Sequence, residues 1–220
     1  MKLEKDIPFK KYHKVDITQI KECFTRLDEK LWYLDTSRQA YNNGPHAKTN
    51  SLILQYCRGE PELSKEFIRM FPVYKSGKLP IRYDLFVYPD YEDFKEDVKH
   101  ITEIVLDDEL NSLTKKIAQE LEQKFNGKSA LICYVKLPAG KIIPAHTDAG
   151  FYLSNVHRLH IPIFTNNMCI FKLGTAKVHM EESYVYEINN KLDHGVDNLG
   201  TDDRIHLIID IIPHTILNNI

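Results

Sequence analysis

The chain has 220 residues, 43% of them hydrophobic and 27% charged, enough to bury one substantial core and too few for two. A formal net charge of -2 and a sequence pI near 6.6 offer no electrostatic attraction for a nucleic acid or an anionic membrane. The first residues, Met1 to Asp6, alternate in charge without the apolar segment of a signal peptide, and no run is long enough to span a bilayer, so a soluble cytoplasmic protein is expected.

In chain order, Ile17, Ile20, Phe24 and Leu27 recur at helical spacing, with Asp16 or Thr18 as cap. From Leu31 to Gln55, aromatic residues, a turn around Asn42-Asn43-Gly44-Pro45 and the apolar run Ser51 to Leu54 predict strands joined by an irregular loop. Glu62 to Met70 reads as a short helix. Leu110, Leu113, Ile117, Leu121 and Phe125 form one apolar stripe, which predicts a core-facing helix over Glu109 to Phe125 with its stop at Asn126-Gly127.

Beyond Gly127 the texture changes. The runs Leu131–Leu137, Arg158–Phe164, Met168–Leu173, Tyr184–Ile188 and Ile205–Ile212 are strand-length, rich in β-branched and aromatic residues, and separated by turn signals. Closely spaced short strands predict a jelly roll or barrel. With no repeat or interdomain linker, the chain reads as one α+β domain over 1–220, helix-rich in 1–127 and mainly β in 128–220. Cys23, Cys57, Cys133 and Cys169 are widely spaced with no CxxC pair, which argues against a zinc knuckle or a disulfide framework and for reduced core thiols.

His146-Thr147-Asp148 carries the chemistry. In an extended segment the imidazole and the carboxylate two residues apart point to one side, and two imidazoles plus one carboxylate is the ligand set of non-haem Fe(II) oxygenases. His194 is the natural third ligand. Alone, the pair means little, since ten histidines produce roughly one such spacing by chance. Its company is rarer: it follows a predicted strand and a Pro138-Ala139-Gly140 turn, and His194 is followed ten residues on by Arg204. A guanidinium opening the buried run Ile205 to Asp210 needs an anion. Either a bound dicarboxylate, gripped through two charge-assisted hydrogen bonds, or a structural ion pair with Asp202, Asp203 or Asp210 would supply it. Arg158 and His160 share one face of their strand, as a second anchor for an acidic ligand or as a polar outer face.

The stretch Leu137 to Asp148, then Arg158-Leu159-His160-Ile161-Pro162-Ile163, His194-Gly195-Val196-Asp197-Asn198 and Arg204-Ile205-His206-Leu207-Ile208-Ile209-Asp210, resembles the aspartyl/asparaginyl β-hydroxylase family in order and in gaps. The resemblance covers about residues 131–212. It implies a double-stranded β-helix of jelly-roll or cupin-like kind, buttressed by the preceding helices. It also implies Fe(II) and 2-oxoglutarate, with His146 and His194 as iron ligands and Arg204 on the distal carboxylate of the co-substrate. Arg158 and His160 would lie near its metal-chelating end. The animal peptide hydroxylases of the family use only the two histidines, whereas here Asp148 offers the usual carboxylate, as in bacterial or phage-type members and free-proline hydroxylases. That carboxylate disfavours halogenation, because related halogenases leave its position to halide.

The implied reaction is O2-dependent hydroxylation of an amino acid, free or in a peptide, with succinate and CO2 as co-products. Arg38, in a segment resembling that before the family's barrel, is a candidate substrate-carboxylate anchor, although a solvated loop arginine is the commoner case. His13, His100, His157, His179 and His214 lack a partner spacing, and His206 reads as hydrogen-bonded beside Arg204. Two rivals share the ligands: a non-catalytic jelly roll that binds or senses a metal or small acid, and a zinc hydrolase. The zinc reading leaves Arg204, Arg158 and His160 without a role.

Overall fold

The computed structural model describes residues 3–34, 44–57, 101–148 and 151–219. The elements in order are β1 (Phe9–Lys14), α1 (Thr18–Arg26), a 3-10 turn (Glu29–Tyr33), β2 (Asn50–Cys57), β3 (Ile101–Glu103), α2 (Asp108–Phe125), β4 (Gly127–Leu137) and β5 (Ile142–His146). There follow α3 (Phe151–Asn155), β6 (His157–Phe164), β7 (Cys169–Leu173), β8 (Ala176–Val178), β9 (Tyr184–Ile188), β10 (His194–Asn198), β11 (Arg204–Pro213) and α4 (His214–Leu217). The expected helix at Glu62 to Met70, Arg38 and His100 lie outside the described residues.

α2 forms where its stripe predicts. Asp107 caps its first turn by accepting from the Leu110 N–H, at 2.8 Å, and Asn126 ends it in the left-handed conformation at φ 47°. Gly127 then starts β4 at once. A side chain there would put its Cβ 2.3 Å from the Ile212 carbonyl oxygen, so glycine is what lets β4 lie against the end of β11. α1 begins with the Asp16 carboxylate accepting from the Thr18 N–H.

Two antiparallel sheets result. One has seven strands in the order β1-β9-β6-β11-β4-β2-β3, the other four in the order β5-β10-β7-β8. The alternation of side chains along β11 separates two environments. Ile205, Leu207, Ile209 and Ile211 join Leu159, Ile161, Ile163, Ile132 and Tyr134 in a core shared with Ile20 and Cys23 of α1 and Leu110, Ile117 and Leu121 of α2. Arg204, His206, Ile208 and Asp210 occupy the opposite face, and all four are buried. Helices thus buttress one face of the large sheet, and the small sheet covers part of the other through Ile143, Phe171, Leu173 and Val196. The result is the β-rich, cupin-like fold anticipated from the strand spacing.

β2 falls on the predicted apolar run Ser51 to Leu54, and β1 adds a strand that was not predicted; both are built into the large sheet, β1 on β9 and β2 on β4. β1 hides from periodicity because it is an edge strand, Phe9-Lys10-Lys11-Tyr12-His13-Lys14, whose lysines blunt its open side. β5 and β10 are likewise absent from the predicted strand runs; each carries a residue that strands rarely hold in their interior, Pro144 and Gly195. Cys23, Cys133 and Cys169 are buried as thiols. Among the described residues no helix is long and apolar enough to cross a membrane.

Candidate metal and co-substrate site

His146 closes β5 and His194 opens β10, and the two residues face each other directly across the antiparallel pair. Their rings lie 4.4 Å apart between centroids. That approach depends on Gly195, where a Cβ would meet the Ile143 carbonyl oxygen at 2.8 Å and the Ala145 nitrogen at 3.1 Å. A register shift between His194 and Val196 accompanies it. Asp148 follows two residues after His146, and its N–H donates to the Asn190 carbonyl at 3.1 Å, which ties it beside β10.

The three side chains converge. His146 Nε2 is 4.0 Å and His194 Nε2 3.9 Å from Asp148 Oδ1, and all three ligand atoms fall within 4.8 Å of one another. Those separations are too long for direct hydrogen bonds and suit three groups around one cation. Each imidazole is set for that role from behind. His146 Nδ1–H donates to the Pro144 carbonyl at 2.8 Å and His194 Nδ1–H to the Leu192 carbonyl at 2.9 Å, which leaves each Nε2 with its lone pair. His146 Nε2 is buried with no hydrogen-bond partner among the described residues. An orphaned lone pair aimed at a carboxylate and a second imidazole is the donor set a divalent metal fits.

Arg158 holds the carboxylate. Its Nε and Nη2 form a fork with Asp210 at 2.9 and 2.8 Å, and Nη1 donates to Asp148 Oδ2 at 2.6 Å. Tyr152 donates to the same Asp210 at 3.1 Å. Burial alone pushes the Asp148 carboxyl up, but Arg158, His194 and His146 more than offset it, and the group titrates below the ordinary carboxylate value. Burial likewise opposes the Arg158 charge, and Asp210 and Asp148 reverse that, so it keeps its proton more firmly than in water. Desolvation lowers His194, against the raising pull of Asp148, which favours the neutral ligand form.

The triad sits at the edge of a cavity of about 150 Å³ lined also by Arg158, His160, Phe171, Arg204 and Ile208. Arg204 is buried to 1% exposure, its guanidinium carbon 6.0 Å from the Phe171 ring centre. Of the structural ion pairs weighed for Arg204, Asp210 is engaged by Arg158 and Asp203 accepts from the Ala139 N–H. Arg204 Nη2 donates to His206 Nδ1 at 2.6 Å, the hydrogen bond anticipated for His206.

All six residues singled out in the barrel therefore meet around one cavity. The sequence did not reveal Asn190, Tyr152 or the Arg158–Asp210 fork, which link positions 30 to 60 residues apart with no local signal. His46 was also unassigned there: its ring packs edge-on against His146 at 4.7 Å, bringing a loop before β2 to the metal end of the cavity. Two further histidines take structural roles: buried His157 pairs with Glu187 at 2.6 Å on the helix-covered face, and His179 donates to the Cys169 carbonyl.

A cupin-like pair of β-sheets carries a His-Asp-His cluster that could hold a metal ion. Residues 105–213 match the family model described as aspartyl/asparaginyl beta-hydroxylase, and through that segment the chain is similar to this family. None of the curated proteins matches. Among solved structures, the chain is similar to a predicted oxalate decarboxylase from Thermotoga maritima, with TM-score 0.31 and 17% identity over 43% of this chain and 73% of that one. It is similar also to an oxidoreductase of the 2OG-Fe(II) oxygenase family from Burkholderia pseudomallei, with TM-score 0.39 and 10% identity over 50% of this chain and 59% of that one. A prolyl hydroxylase from Trichoplax adhaerens, complexed with a hypoxia inducible factor peptide fragment, has TM-score 0.39 and 10% identity over 50% of this chain and 60% of that one.

Proposed function

We propose that the protein is an Fe(II)- and 2-oxoglutarate-dependent dioxygenase that hydroxylates an amino acid, free or within a peptide, and that residues 1–220 form one such catalytic unit working in the cytoplasm. The observation that carries this reading is the placement of His146, Asp148 and His194, with both Nε2 lone pairs freed, in the same cavity as the buried guanidinium of Arg204.

His146, Asp148 and His194 would hold the metal. When bound, iron with 2-oxoglutarate and O2 supplies oxidative decarboxylation to succinate and CO2 coupled to hydroxylation of the substrate. The chain's own residues supply position and surroundings. Arg158 orients Asp148 by occupying one carboxylate oxygen and leaving the other for the metal. Arg204 would present a cation to the distal carboxylate of the co-substrate, and His160, which lines the same cavity, would lie toward its metal-chelating end. Phe171, Ile208 and Val196 keep water away from the charged contacts and so strengthen them. Arg38 is proposed to meet a substrate carboxylate.

The test is succinate formation from 2-oxoglutarate by Fe(II)-loaded protein exposed to air, for wild type, His146→Ala and Arg204→Ala, with amino acids and peptides screened for stimulation. Turnover that needs iron and both residues is expected. Absence of both 2-oxoglutarate binding and turnover in verified Fe(II)-loaded protein would leave a non-catalytic metal- or acid-binding jelly roll as the better account.

A further inference from the structure

The turn between β9 and β10, Asn189 to Asp193, supports two of the three candidate ligands at once. Its Asn190 carbonyl accepts from the Asp148 N–H at 3.1 Å, and the buried Asn190 amide bonds the Asp148 carboxylate and donates to the Leu153 carbonyl at 2.9 Å. Its Leu192 carbonyl accepts from His194 Nδ1–H at 2.9 Å. The turn itself is closed by the Leu192 N–H donating to the Asn189 carbonyl at 3.0 Å. Asp148 and His194 therefore keep their relative placement only while this turn keeps its shape.

Asn189 ties the turn to the start of the chain. Its side-chain amide lies within hydrogen-bonding distance of three carbonyls, Glu4 at 3.3 Å, Lys5 at 3.2 Å and Ile7 at 3.2 Å, and its backbone N–H donates to a fourth, Pro8, at 2.8 Å. Two amide hydrogens shared among three carbonyls gather residues 4–8 around one side chain. Phe9 then opens β1 by pairing with Ile188, the residue before Asn189, so the gathered segment is anchored beside the turn.

We propose that Asn189 is a positioning residue for the metal ligands: by fastening residues 4–8 to the β9–β10 turn it holds Asn190 and Leu192 where they orient Asp148 and His194, and it couples the first segment of the chain to the metal site. The inference rests on the reading of His146, Asp148 and His194 as metal ligands. Such a coupling is reciprocal: whatever the fastened segment adds to metal affinity, bound metal adds to the fastening.

Asn189→Leu keeps the shape of the side chain and removes its donors, with Asn189→Ala as the second variant should the leucine protein not fold. Tyr12→Phe is the comparison, because it loosens β1 through a different bond, Tyr12 Oη to Glu187 at 2.7 Å, beside the helix-covered core. Mn(II) affinity is read from the free-ion electron paramagnetic resonance signal, with urea unfolding of the metal-free proteins alongside. Asn189→Leu should bind Mn(II) about tenfold more weakly, the lower end of what partners behind metal ligands contribute, whereas Tyr12→Phe should lose stability and keep the wild-type affinity. Hydrogen exchange read by mass spectrometry gives the reciprocal: peptides covering residues 3–10 of the wild type should exchange about tenfold more slowly with Mn(II) bound. Unchanged Mn(II) affinity in Asn189→Leu overturns the proposal, and so does an equal loss in Tyr12→Phe, which marks a general loosening of β1. Should neither Asn189 variant fold, the wild-type exchange decides, and exchange over residues 3–10 that is indifferent to Mn(II) overturns the proposal. Wild-type protein that takes up no Mn(II) removes the metal-site reading itself and this inference with it, an outcome distinct from the variant patterns.

Discussion

Arg158 shows how much of this site depends on contacts between distant segments. Its guanidinium stands between Asp148 and Asp210, and the Asp210 carboxylate is fully buried. Replacing Arg158 with Gln leaves two inward-facing carboxylates without their cation, and breaking such a pair by removing one partner costs about 3–5 kcal/mol. Urea unfolding of metal-free Arg158→Gln should show that loss, and Arg158→Gln/Asp210→Asn should recover part of it; no recovery would mean the ion pair is not the source. His146 and Asp148 were legible because a two-residue spacing in an extended segment is itself a geometric statement. Arg158 was legible as a residue of the site, but its partners were not, because no local pattern says that β6 and β11 bring Arg158 opposite Asp210. His194 and Arg204 were found by order along the chain, whereas Asn190, which holds Asp148 through its backbone carbonyl and its side-chain amide, lies in a distant turn that no local pattern links to Asp148.

At the level of elements, the candidate metal-binding cluster is a property of the β5–β10 pair. The direct pairing of His194 with His146 needs the two backbones unusually close, and Gly195 allows it. Gly195→Ala should push β5 outward, since its Cβ would fall 2.8 Å from a carbonyl oxygen that cannot rotate away. The seven-stranded sheet and its helix-covered core do not depend on that contact. The expected result is therefore a folded protein with Mn(II) or Fe(II) affinity reduced about tenfold or more, as when groups supporting metal ligands are disturbed. Circular dichroism and a metal titration check the two halves of that statement, and unchanged affinity would show that β5 is free to shift without moving His146. The same pair explains why it was hard to see in the sequence: proline and glycine serve here as strand residues at a site of close approach and irregular register, the circumstance in which strands tolerate them. α2 was the opposite case, with five apolar residues on one face and a clear stop at Asn126-Gly127.

For the molecule as a whole, the two faces of the large sheet divide stability from function, and binding and pH should report on that division. A divalent metal that binds the folded chain and not the unfolded one adds about 2.7 kcal/mol at a free concentration a hundredfold above its Kd. Fe(II) or Mn(II) should therefore raise the melting temperature of wild type and leave that of His146→Ala nearly unchanged. Acid should act through the buried imidazole of β11. Burial, then Arg204, His160 and His179, hold His206 below its ordinary value, whereas in the unfolded chain it titrates near about 6.5. Below that pH the unfolded chain takes up a proton that the folded chain refuses, so stability falls as pH falls, and the loss continues down to the depressed folded value. His194 is shifted in the same direction and adds to the slope in metal-free protein. Asp148 acts lower, its contribution present above the unfolded carboxylate value and lost as pH drops through its own lowered one. Denaturant unfolding of metal-free protein from pH 7 to pH 5 should thus show declining stability, with a shallower decline in His206→Asn by up to about 1.4 kcal/mol per pH unit, the value of one proton. Identical slopes for the two proteins would mean that the folded state admits the proton at His206, and that the imidazole does not stay neutral against Arg204 as its burial requires.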